Sequence, residues 1–229
     1  MTSPARGRTR PLFFLVLAVV LAAYLALGFA RTFYLEPLFR LKPLTVPLVI
    51  HGLSGTAWFA LLVWQARLAR AGRIQAHRTI GARLGAALAA IAVLSSLWIV
   101  SLTAFDGEAT GSSLSDSTGL FIQLGTASWF TILAVLGFRA IRRPDYHKRY
   151  MIMASIAMLA PAYSRIARLL VEGRSPIDSA FLAVPLVAAL AIHDLRTIKR
   201  LHPVTLWAGL GYLAYVAVRL PIARSDLWN

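Results

Sequence analysis

The chain has 229 residues, 58% of them hydrophobic and 14% charged, with a mean hydropathy of +0.67, which excludes an ordinary soluble domain. Its formal net charge of +15 would suit a nucleic-acid binder, but the basic residues gather in short segments between apolar runs, so no nucleic-acid partner is expected. The absence of cysteine excludes disulfides, thiolate metal sites and cysteine nucleophiles.

Seven apolar runs follow one another at about 11–30, 45–66, 82–104, 118–138, 149–170, 178–195 and 203–221. Each approaches the roughly 20 residues that cross about 30 Å of hydrocarbon. No stretch between them is long enough for a separate soluble domain. The expected architecture is therefore one all-α, polytopic membrane bundle over residues 1–229 with about seven transmembrane helices. A four-helix core unit is expected at about 45–170, flanked by spans 11–30, 178–195 and 203–221.

Arg6, Arg8 and Arg10 precede span one, whose small residues before Arg31 resemble a secretory signal. Its apolar core is long for a cleaved signal, so a retained anchor is expected. The segment 31–44, with Phe33, Tyr34 and Phe39, suits the headgroup level. Arg67, Arg70, Arg73 and Arg78 lie between spans two and three. Arg139, Arg142, Arg143, Lys148 and Arg149 lie between spans four and five, and Arg196, Lys199 and Arg200 between six and seven. The intervening loops are poorer in basic residues or acidic, as in Asp106, Glu108 and Asp116 of the 106–117 segment, expected to be flexible. By the positive-inside rule the N-terminus is cytoplasmic and the C-terminus external. Arginine outnumbers lysine, and alanine and leucine are abundant, as in bacterial proteins of GC-rich origin, so a bacterial inner membrane is expected. Pro161 and Pro185 are expected to kink spans five and six. No internal repeat is evident.

Polar side chains within apolar spans fall into two layers. His51, Ser54, Gln123, Arg165 and Arg168 lie near the outer face. Gln65, His77, Arg78, His147, Lys148, Arg149, His193 and Asp194 lie near the inner one. Along span two, His51, Ser54, Gly55, Trp58, Leu61 and Gln65 share one helical stripe. Gly81 and Gly85 form a GxxxG on span three, which admits another backbone or a flat ligand.

Several chemistries can be weighed against this placement. Gly52-x-Ser54-Gly55 is the pattern of intramembrane serine proteases, but Ser54 lacks a histidine on another helix at its depth, so close packing is the reading favoured. Lys42, Lys148 and Lys199 all lie at helix ends or in loops, which removes a retinal Schiff base. Paired acidic clusters for magnesium are absent. His77 and His147 open two parallel helices at similar depth and offer both axial positions of a haem iron, with Arg78 and Arg149 beside them for propionates. The bland alternative makes these four residues headgroup anchors. His202 is expected to be a solvated loop residue, and His51 either a satisfied core histidine or a functional one.

The blocks "IHGLSGTAWFALLVWQARLARAGRIQAHRTIG" and "RAIRRPDYHKRYMIMASIAMLAPAYSRIAR" resemble two segments of a bacterial family of small multi-pass membrane proteins of unknown function. The matching positions are His51, Gln65, His77, Arg78, Gly81, His147, Arg149, Met151 and Arg165, within residues 45–170. The four-helix unit also looks like haem-b membrane cytochromes, in which histidines on alternate helices bind two haems. Span four has no histidine, so His51 lacks the partner that a second haem needs. The resemblance implies a haem- or quinone-associated redox or assembly protein. Its haem b would rest on His77 and His147, with His51 and Arg165 in an outer polar site and a quinone or membrane redox partner. The alternative is a non-catalytic transporter or accessory subunit whose polar layers bind a lipid or a small anion.

Overall fold

A computed structural model describes residues 12–39, 44–105, 117–170, 182–223 and 225. All regular elements among them are helical. Helix α1 (Phe13–Phe29) runs into a π-helical turn (Ala30–Tyr34), followed by the short α2 (Glu36–Phe39). Then come α3 (Val46–Arg70), α4 (Ile74–Phe105), α5 (Ser117–Arg139), α6 (Pro144–Met158), α7 (Ala160–Leu170), α8 (Val184–Ile198) and α9 (Pro203–Ala223). The segments Phe13–Tyr34, Val46–Arg70, Ile74–Phe105 and Gly119–Arg139 are each long and apolar enough to cross a bilayer. The bent pair α6–α7 makes a fifth if it is one broken span. Most of the 106–117 segment lies outside the described residues.

The bundle is built inside-out relative to a soluble protein. Its outer surface carries Phe105 at 91% exposure, Trp207 at 71% and Leu94 at 66%, while Arg149, Asp194 and Ser155 are buried. Such a distribution is stable only where the surroundings are as apolar as the surface. The core gathers Trp58 and Phe59 of α3, Phe130 and Leu133 of α5, Met153 and Ile156 of α6, Tyr163 of α7, Leu190 of α8 and Tyr212 of α9. Trp58 crosses Phe130 edge-on at 5.1 Å and donates its indole N–H to Ser155 Oγ at 3.1 Å, which ties α3 to α6.

The two prolines act differently. Between α6 and α7 the axis turns by 50° at Leu159, just ahead of Pro161, which has no N–H for the preceding turn. Tyr163 Oη donates to Ile156 O at 3.0 Å, supplying a donor to a carbonyl of the interrupted ladder. Pro185, by contrast, occupies the first turn of α8, so the expected kink of span six does not arise. A missing N–H there costs nothing, because the first helical N–H groups have no intrahelical acceptor.

At the bend, α7 presses against α1. A Cβ on Gly28 would meet Ala162 Cα at 2.7 Å and Ala162 O at 2.9 Å. Because these are backbone atoms, the helices must part to admit a side chain. Gly28→Val is expected to cost about 1–3 kcal/mol by overpacking, read as a lower thermal midpoint in detergent. An unchanged midpoint would refute this packing.

No repeat is legible in the sequence pattern, yet the fold uses one device twice. The hairpins α3–α4 and α5–α6 each turn through a few residues, and in each the fourth residue of the second helix is histidine: His77 in α4 and His147 in α6.

Candidate paired-histidine site

Each of these histidines is fixed by the helix before it. His77 Nδ1 lies 3.2 Å from Gln65 O near the end of α3, and His147 Nδ1 lies 2.8 Å from Gly137 O near the end of α5. A carbonyl oxygen only accepts, so both rings carry their proton on Nδ1 and keep the lone pair on Nε2. The ring centroids are 6.2 Å apart with planes crossed at 86°. Two rings in this tautomer cannot hydrogen-bond to one another through Nε2, since neither Nε2 carries a proton. This backbone-anchored tautomer is the one metal-bound histidines adopt.

Small residues make the approach possible. A Cβ on Gly137 would meet Met151 Sδ at 2.6 Å, and one on Gly81 would meet Gln65 Oε1 at 3.0 Å. The Gln65 amide is therefore wedged beside the first turns of α4. Both its Oε1 and its Nε2 are buried without a hydrogen-bond partner, a costly arrangement for an amide. Met151 packs against the core next to this site.

The two arginines of this layer part company. Arg78 is exposed. Arg149 is 2% exposed and faces Asp194, which is 0% exposed. Its Nε donates to Asp194 Oδ1 at 3.0 Å, a second nitrogen forms the ion pair with the same oxygen, and Nη1 donates to Asp145 O at 2.8 Å. Asp194 also accepts Thr205 Oγ1 at 2.5 Å and the His202 backbone N–H at 3.2 Å. The guanidinium is thus spent on docking α8 and α9 to α6. Sequence reasoning placed Arg149 and Asp194 at the same depth but did not pair them. A buried cation's need for a carboxylate was the available signal.

His202 corrects an expectation. It is only 7% exposed, not solvated. Its Nδ1 accepts the Val204 N–H at 3.2 Å, and its ring meets Tyr146 at 4.5 Å. Burial and the nearby Arg149 charge hold its pKa below the ordinary histidine value. His193 stacks on Phe13 at 3.9 Å between centroids, with planes 3° apart.

The outer layer is separate. His51 precedes Gln65 by 14 residues on α3, about 21 Å along the axis at 1.5 Å per residue. Ser95 Oγ and Ser96 Oγ both donate to Ala92 O, at 3.1 and 2.8 Å. The His51 Nδ1–H therefore donates to Ser95 Oγ at 3.1 Å, leaving Nε2 with its lone pair. Ser54 Oγ donates to His51 O at 2.8 Å and is buried. The serine thus meets the backbone of His51, not its ring, and no base is placed to activate it. Gly52 abuts Phe33, and Gly55 lies against Met158. Arg165 donates Nη1 to Pro161 O at 3.0 Å and lies over the Phe29 ring at 4.4 Å.

Among the described residues, no group of three or more His, Cys, Asp or Glu is arranged to hold a metal ion. A metal held by His77 and His147 has to bring the rest of its ligands with it. A haem does so, since its macrocycle fills four positions. No protein-family model, curated protein or solved structure matches the chain.

Proposed function

We propose that this chain is a bacterial inner-membrane redox or assembly protein that holds one haem b between His77 and His147. The carrying observation is the pair of backbone-anchored imidazoles, whose Nε2 lone pairs are left for a shared ligand at a centroid separation of 6.2 Å. His77 and His147 would hold the iron, each through the Nε2 that its backbone-anchored tautomer leaves unprotonated. The protein fixes both tautomers, and Gly81 and Gly137 keep the adjoining helices close. Arg78 is free to meet a propionate, whereas Arg149 serves Asp194. The bound group supplies a one-electron couple, to be exchanged with a quinone or a membrane redox partner.

In this reading α8 and α9 are spans six and seven, and the N-terminus is cytoplasmic. Support for that orientation comes from the arginines and lysines gathered at the α3–α4, α5–α6 and α8–α9 connections. The test is an absorption spectrum of protein purified from cells supplied with adequate haem. A Soret band that shifts on reduction is expected, and a band-free sample overturns the proposal.

A further inference from the structure

Arg165 stands in the outer layer with no carboxylate partner among the described residues. It lies one helical turn beyond Pro161, past the 50° break between α6 and α7. One of its nitrogens caps Pro161 O, and its face covers Phe29. Its Nε is buried with no hydrogen-bond partner. The ion pairs among the described residues engage only Asp145 and Asp194, both in the other layer. A guanidinium stays protonated under all ordinary conditions, so a half-buried one without a carboxylate calls for an anion.

Three further features surround it. Arg168, one turn on, adds a second positive charge that acts on Arg165. His51 is close enough to feel the Arg165 charge, and with its proton given to Ser95 its Nε2 accepts and leaves the anion to the cations and hydroxyl. Thr32, three residues beyond Phe29, buries a hydroxyl with no partner. Among the described residues, the Thr32 hydroxyl of the π-helical turn and the Arg165 Nε–H of α7 are therefore donors without a hydrogen-bond partner at one end of the bundle.

We infer that Arg165, with Arg168 and the Thr32 hydroxyl, binds a phosphate oxyanion at the membrane boundary opposite the paired histidines. The ligand chemistry is a singly charged phosphate oxygen pair facing the guanidinium fork. Two sources supply it: the phosphodiester of an anionic lipid, or free inorganic phosphate. This site is independent of the haem proposal and stands or falls without it.

The experiment uses full-length protein in a maltoside detergent, which contains no phosphate. Three additives are titrated separately: phosphatidylglycerol, diacylglycerol with the same acyl chains, and inorganic phosphate. Binding is read by native mass spectrometry and by the thermal midpoint. Phosphatidylglycerol or inorganic phosphate is expected to bind and raise the midpoint, and diacylglycerol to do neither. A response to phosphatidylglycerol alone assigns the lipid source, and a response to phosphate alone assigns the free ion.

Arg165→Gln is expected to weaken the responding additive about tenfold or more, the loss of one charge-assisted hydrogen-bond pair. Arg165→Lys keeps the charge without the fork and serves as the second variant should Arg165→Gln not fold. It is expected to retain part of the affinity. Equal responses to phosphatidylglycerol and diacylglycerol overturn the inference, as does undiminished binding in both variants.

Discussion

Asp194→Ala is expected to destabilise the protein by about 3–5 kcal/mol, the cost of leaving a buried charge without its partner. Asp194 is wholly buried and answers four donors: two nitrogens of Arg149, the Thr205 hydroxyl and the His202 N–H. Removing it strands all of them at the junction of α6, α8 and α9. Arg149 cannot escape by neutralising, because its guanidinium does not release a proton at any ordinary pH. The measurement is the thermal midpoint and the monodisperse fraction of detergent-solubilised protein. The apolar double variant Arg149→Met/Asp194→Leu separates charge from packing. It should recover most of the loss, since a pair of well-packed hydrophobes often matches a buried ion pair. If Asp194→Ala melts with the wild type, the ion pair is not what docks the last two helices.

The second large effect concerns the paired rings. If His77 and His147 hold the proposed haem, His77→Gly and His147→Gly are each expected to abolish its low-spin spectrum, because a haem of this kind needs both imidazoles. Exogenous imidazole should restore the spectrum in either variant by occupying the vacated space. His193→Ala is the control, since that ring stacks on Phe13 and belongs to a different contact. The distinctive outcome is rescue: a merely structural histidine would show a lowered melting temperature with no spectral recovery. Retention of the full band in both glycine variants would move the ligands elsewhere. Gly137 offers a related check. A side chain there would push Met151 aside and shift the carbonyl that holds His147, so Gly137→Val is a positioning variant expected to alter the spectrum without removing a ligand.

How far the sequence alone reaches depends on the kind of residue. Apolar runs of about 20 residues announce helices that cross lipid, because backbone groups in hydrocarbon must bond within their own segment. The break before Pro161 was legible for a similarly local reason: a missing N–H acts wherever its helix goes. Pro185 shows the limit of that reasoning. Its effect depends on the register of the helix start, and a first-turn proline is harmless.

The site divides in the same way. Depth along each span put His77 with His147, and His51 with Arg165, from sequence position alone. Partners were another matter. That His77 bonds to Gln65 O and His147 to Gly137 O is set by tight hairpins, which return each chain to the helix before it. Arg149 and Asp194 lie 45 residues apart and meet only because α8 packs against α6. His202 reads as a solvated loop residue from its sequence position, and it is buried because that packing covers it. Composition, charge alternation and helical period thus determined the all-helical fold, its helices able to span a membrane and its two polar layers, since each follows from interactions within a single segment. Only the tertiary structure decided which ring nitrogen carries the proton, which arginine is spent and which lacks a counter-charge among the described residues, because these depend on side chains from different helices converging within hydrogen-bond distance.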